Sequence, residues 1–295
     1  WIRVNNMINL VKIELKKMYH NKLFWITLIC VTLLLVVDAI LSIITYYDIL
    51  NNFSGFAEEN RLNSQNLSLQ ANSLYSSWIG GRANGLIPTL FYFLLSVFAV
   101  LPYSCSYYSE QKSGYIRSVV TRVGKTKYFL AKYISVLISG MAIILIPILV
   151  NFILVACFIP AQKPEILNDL MLQVFSHQMW SSIFYTKPLL YDLLFIALPA
   201  LYAGIWATVS LAVSLFAKNR FVILFIPFIV MLFVAHIVFQ LQAFKSYIEV
   251  NPINYLRGVA SCLDSNAYVV FGEILVLAIS AFAIFMGVGK KNDVF

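Results

Sequence analysis

The sequence predicts an all-α polytopic membrane protein: six transmembrane helices, an amino-terminal amphipathic interfacial helix, and a short cytoplasmic helix between the second and third spans. Three observations lead there. Hydrophobic residues make up 61% of the 295-residue chain and charged residues 12%, about half the share of a soluble domain. The apolar residues are gathered into stretches near the roughly 20 that a helix needs to cross a hydrocarbon core about 30 Å thick. The basic residues fall mostly on alternate sides of those stretches.

The spans are expected at about 24–46, 88–108, 129–158, 189–216, 221–241 and 268–288. That divides the chain into an interfacial arm (1–23), a transmembrane domain (24–288) and a cytoplasmic tail (289–295). The first span is too long for a signal-peptide core and no small-residue cleavage site follows it, so it is expected to be retained.

Charge sets the orientation. Fifteen of the 21 Lys and Arg residues lie in the amino-terminal arm, between spans two and three, between spans four and five, or after span six. An excess of basic residues marks the cytoplasmic side, so both termini are expected there, in a cell membrane. The net charge of +8 is then a signal of topology and of lipid headgroups, with no nucleic-acid partner implied.

The arm carries Val4, Ile8, Val11, Leu15 and Met18 at helical spacing, with Lys12, Lys16 and Lys17 facing elsewhere. Such a helix is expected in the headgroup plane, lysines toward anionic lipid. Lys12, Leu15, Lys16 and Met18 are its candidate interfacial residues. Between spans two and three, residues 109–124 read as one short helix. Ile116, Val119, Val120 and Val123 give it an apolar side, Glu110 an acid near its start, and Gly124 a stop. The outer connections (about 48–87, 159–188 and 242–267) are large, and in the second a surface helix is expected from Pro164. Residues 217–220 form a tight inner turn that makes spans four and five antiparallel neighbours, and Ala200, Gly204 and Ala207 give span four a face for close packing.

Several chemistries lack their residues. Gly124-Lys125-Thr126 resembles the end of a phosphate-binding loop, but Val119 stands where its first glycine belongs; the run from Ile284 to Lys291 fails likewise. His20, His177 and His236 are scattered without partners at ligand spacing, so no metal site is expected. Cys30, Cys105 and Cys157 fall in or beside spans, and Cys262 stands alone outside, so no disulfide framework is implied.

Three acids fall in spans. Asp38 is the deepest, about 21 Å into span one at 1.5 Å per residue, and an ionised carboxylate there must face protein or water. It is either a partnered structural acid or a cavity-lining group. Asp192 and Glu273, one turn inside the outer ends of their spans, are expected in headgroup-solvated positions. Phe221, Phe225 and Phe228 form a helical stripe, and Asp38, Phe225 and Phe228 are the candidate cargo path.

The layout resembles the ABC-type exporter permeases of the type-2 class. The resemblance rests on the six spans, the amphipathic arm, Tyr108-Ser109-Glu110 followed by Gly114-Tyr115, Arg122 and Lys132, and Asn251-Pro252-Ile253-Asn254-Tyr255 after span five. It implies that the segment at about 109–127 is a coupling helix that meets a cytoplasmic ATPase subunit. Glu110, Gly114, Tyr115, Ile116, Arg117, Val119, Val120 and Arg122 would make that contact. It further implies no ATPase site in this chain, ATP and Mg on the partner ATPase, and a second permease subunit, identical or related. Peptides such as bacteriocins, lipids and hydrophobic drugs are the cargo classes, with peptides favoured by the large outer loops. Two other classes stay open: a membrane protein that senses or gives immunity to a peptide without transport, and a secondary transporter. The latter calls for several midplane charges and repeated broken helices.

Overall fold

The computed structural model describes residues 7–59, 72–82, 85–166, 169–217, 219–242, 248–259 and 264–291. Within them the regular structure is helical, apart from a single bridge between Ile248 and Asp264. Much of the first outer connection and Cys262 lie outside the described residues, as do Arg61, Lys218 and Lys245.

In chain order the helices are α1 (Met7–Tyr19), α2 (Lys22–Glu59), α3 (Leu74–Ser77), α4 (Leu86–Val100), α5 (Ser106–Lys112), α6 (Tyr115–Val123) and α7 (Lys125–Phe158). They continue as α8 (Asp169–Leu172), α9 (Ser181–Thr186), α10 (Pro188–Val213), α11 (Arg220–Gln242), α12 (Pro252–Tyr255) and α13 (Ala267–Lys291). Four are long and apolar enough to cross a membrane: α2, α7, α10 and α13. The chain is therefore a helical, multi-spanning membrane protein.

Among the described residues, four of the six expected spans reach that measure. The second expected span, 88–108, ends as a helix at Val100, because residues 101–105 turn at Pro102. Its 15 residues reach only about 22 Å at 1.5 Å each. The fifth expected span falls on α11, whose 23 residues reach about 34 Å at 1.5 Å each, with Arg220–Val234 as its described apolar stretch.

Apolar residues face two ways, as a bilayer requires. On α2, Leu28, Val31, Leu35 and Ala39 are buried, while Ile26, Ile29, Leu33, Val37, Ile40 and Ile44 form an exposed stripe. A soluble protein would cover such a stripe. The core helix is α10, with 72% of its most apolar window buried against 28–39% for the other three. It packs on α7 through small residues. A Cβ at Gly140 would stand 2.7 Å from Ala207 Cβ, and one at Gly204 would stand 2.9 Å from the Leu137 carbonyl. Gly204 thus provides the close approach that its spacing with Ala200 and Ala207 predicts. Beside the turn between them, Ser210 Oγ donates to the Ile223 carbonyl at 2.7 Å, fastening α10 to α11.

Two local expectations are corrected. The stretch 109–124 is two helices, α5 and α6, broken at Gly114, whose φ of +71° is a left-handed conformation glycine adopts without strain. Gly124 does stop α6, donating its N–H to the Val120 carbonyl at 2.9 Å. No helix starts at Pro164: residues 161–165 are irregular, and the short α8 begins at Asp169. Gln173, at φ +55°, follows its last residue.

Candidate functional site

The densest polar cluster joins α1, α5 and α7 at one end of the bundle. Lys132, on α7, is wholly buried; its Nζ donates to Glu14 Oε2 at 2.8 Å and lies 2.9 Å from Glu110 Oε1. The Tyr103 hydroxyl is 3.5 Å from the same nitrogen. Lys17 donates to both acids, to Glu14 Oε1 at 2.7 Å and Glu110 Oε1 at 3.1 Å. Tyr103 donates to Glu14 Oε2 at 2.9 Å, and Tyr128 to Glu110 Oε2 at 2.5 Å. The Lys17 ammonium also sits 4.0 Å from the centre of the Tyr115 ring. Two acids and two lysines thus balance, each charge met by oppositely charged and hydroxyl partners, the condition under which buried ions persist.

The electrostatics follow from the geometry. Burial pushes the Glu14 carboxyl up, but Lys132 and then Lys17 outweigh it and hold the group below its ordinary value. Burial pulls the Lys17 ammonium down, and Glu14 and then Glu110 override that to raise it. Both stay charged across the neutral range.

Helical spacing positions the cluster. Glu14 and Lys17 are three apart and share a face of α1. That face corrects the expected stripe: Leu10, Glu14 and Met18 are buried, Ile8 is 66% exposed, and Leu15 is half-buried. Lys12 and Lys16 are exposed as expected. Sequence reading passed over Glu14; the one acid in a basic arm, three residues before a lysine, was the available signal. Val4 lies outside the described residues.

On α6 the apolar side is turned inward. Ile116 and Val120 are buried against this chain, Val119 is half-buried, and Tyr115, Arg117 and Arg122 are exposed, with Gly114 exposed at the break. The surface that α6 offers is therefore basic and aromatic, not apolar.

Asp38 has partners the sequence did not reveal. Arg82 Nη1 lies 3.2 Å from its Oδ1 and Asn151 Nδ2 3.3 Å from its Oδ2. Asn151 also donates to the Leu35 carbonyl at 2.8 Å and accepts from the Ile79 N–H at 3.0 Å. The group pins residues 73–82 between α2 and α7. Because α2 starts at Lys22, Asp38 lies about 24 Å along it at 1.5 Å per residue, most of the way across a core about 30 Å thick. Phe228 meets Phe93 edge-on at 5.4 Å, and Phe225 is 50% exposed.

Asp192 is not solvated at a headgroup level. It is 1% exposed, and the indole N–H of Trp78 faces its carboxylate without a well-formed hydrogen bond among the described residues. Glu273 accepts from the Tyr255 hydroxyl at 2.8 Å. The segment Asn251–Tyr255 is a bonded turn: Asn251 caps α12 by accepting from the Ile253 N–H, and Glu249 holds both Asn251 and Asn254.

Comparison of the chain with known protein families, curated proteins and solved structures finds no match to any of them.

Proposed function

We propose that this chain is the permease subunit of an ATP-binding-cassette exporter of the type-2 class. It would stand in the cell membrane with both termini cytoplasmic, and α11, and α4 extended by the turn at residues 101–105, would complete six crossings. A separate ATPase, carrying ATP and Mg, would dock on α6, and a second permease subunit, identical or related, would close the pathway. The cargo class is amphipathic or hydrophobic, with a peptide favoured by the large outer connections.

The observation that carries this reading is the position of Glu110. It lies in the last turn of the short helix α5, beside the basic, aromatic surface of α6, and it is ion-paired to α1 through Lys17 and to α7 through Lys132. A displacement of α5–α6 by a partner would reach two further helices through charged contacts that do not stretch. Topology alone requires no such linkage.

The test uses two exposed residues, so that folding is spared. In a complex purified with its ATPase, Arg117→Ala with Arg122→Ala should reduce cargo-stimulated hydrolysis several-fold while insertion and Tm stay unchanged. A cysteine at Ser118 should cross-link to the ATPase. Unaltered stimulation in the double variant, or labelling of that cysteine from outside intact cells, removes the assignment.

A further inference from the structure

At the end of the bundle that holds the charge cluster, a cleft of about 470 Å³ opens between the end of α1, the start of α2, the turn after α4 and the start of α11. Its volume is in the range of small-molecule pockets. Its walls carry two chemistries. Leu23, Leu101 and Leu224 form an apolar side, and Lys17, Asn21 and Arg220 a polar one.

The charge on the polar side is not neutral. Glu110 also lines the cleft, but it is spoken for by Lys17, Lys132 and Tyr128, and with Glu14 the four ions of that cluster cancel. Arg220 is exposed, and no carboxylate among the described residues lies within ion-pair distance of it. It is the first residue of α11, where the helix dipole disfavours a cation, so helix stability does not explain it. The level is also fixed. Beside the cleft, the Trp25 indole N–H donates to the Tyr19 carbonyl at 2.7 Å and the two rings meet edge-on at 5.0 Å. Aromatic pairs of this kind sit at headgroup height.

We propose that this cleft binds an anionic phospholipid, its phosphate on Arg220 and its acyl chains leaving past Leu23 and Leu224. A guanidinium holds a phosphate through two parallel hydrogen bonds, a geometry that an ammonium does not reproduce. The apolar wall supplies what a free anion has no use for. The inference rests on the membrane location alone and stands whether or not the chain couples to an ATPase.

The experiment takes the purified full chain, stripped of lipid in neutral detergent, and measures Tm and native mass spectra with four probes: short-chain phosphatidylglycerol, the matching phosphatidylcholine, glycerol phosphate and inorganic phosphate. Phosphatidylglycerol should stay bound and raise Tm, with at least about tenfold preference over phosphatidylcholine (about 1.4 kcal/mol). Arg220→Gln should remove that preference and leave the lipid-free Tm unchanged. Lys22→Gln, adjacent but outside the cleft, should leave binding intact. Equal binding of phosphatidylcholine overturns the proposal. Equal stabilisation by either soluble phosphate reduces it to a free-anion site and also overturns it. An equal loss in Lys22→Gln would show diffuse surface charge instead.

Discussion

Lys132 Nζ lies 2.8 Å from Glu14 Oε2, joining residues 118 positions apart. The contact fastens the amino-terminal helix to the amino-terminal part of a long apolar helix by buried charge, in addition to its apolar face. Because both partners are almost wholly buried, water cannot replace either one, and the pair sets the position of α1 against the bundle.

Lys132→Met should therefore destabilise the protein strongly. It leaves Glu14 and Glu110 sharing Lys17 alone, and removing one member of a buried pair costs about 3–5 kcal/mol. Adding Glu14→Gln should recover part of that loss, since the second change removes the stranded charge. A double-mutant cycle on chemical unfolding in detergent measures the coupling. Additive effects would show that the two residues do not share an interaction.

The same cluster gives a pH signature. The Glu14 carboxyl is held below 4.5 in the folded protein, so its contribution is present above that value and lost as pH falls through the folded pKa. Lys17 is raised above 10.5, so its contribution is present below that value and lost as pH rises through its own folded pKa. Stability should show a plateau between these limits and an acid limb. Glu14→Gln should lower the plateau and flatten the acid limb, as read by Tm against pH.

The sequence made the membrane class legible because hydropathy and basic-residue placement act over tens of residues. Helix packing was legible at Gly204, where small-residue spacing is a local signal. The break at Gly114 was less so, since one glycine inside an amphipathic pattern does not announce a left-handed turn. The charge cluster was hidden for a different reason. Glu14, Glu110 and Lys132 come from three elements, and only folding shows that two acids meet two lysines. Arg82 reaching Asp38 is the same case, and the burial of Asp192 ran against its place near a span end.

Close packing of α7 on α10 should fail with any added bulk. Gly140→Val puts a branched side chain where the Ala207 methyl and the Ala203 carbonyl already stand within 3 Å of an added Cβ. Overpacking of this kind costs about 1–3 kcal/mol. Gly272→Ala, with nothing within 4 Å, is the control and should leave Tm unchanged or raise it. Equal effects of the two would contradict the interface.

Asp192→Asn should leave stability unchanged or raise it by about 1 kcal/mol, because a buried polar group without a well-formed hydrogen bond is unfavourable and an uncharged one less so. Glu273→Gln is the contrast. It weakens a real hydrogen bond from Tyr255, and its Tm should fall. A large loss in Asp192→Asn would mean that the carboxylate is held by a partner.

The ion pair of Asp38 separates a structural role from a part in transport. Asp38→Asn keeps the contact with Asn151 and removes the charge that Arg82 faces, so Arg82, already partly exposed, turns toward water at little cost. Tm should fall modestly, by less than in Asp38→Leu, which also removes one of the acceptors of the Asn151 amide. Arg82→Gln leaves Asp38 buried beside Asn151 with its charge unmatched, and its Tm should fall furthest of the three. If Asp38 only holds residues 73–82 against α2 and α7, Asp38→Asn with Arg82→Gln should restore both Tm and transport. If the carboxylate also receives cationic cargo, the double variant should regain Tm while transport stays several-fold low. Measuring Tm and vesicle transport on the same preparations distinguishes the two, and a double variant that recovers neither would show that the pair does not act as a unit.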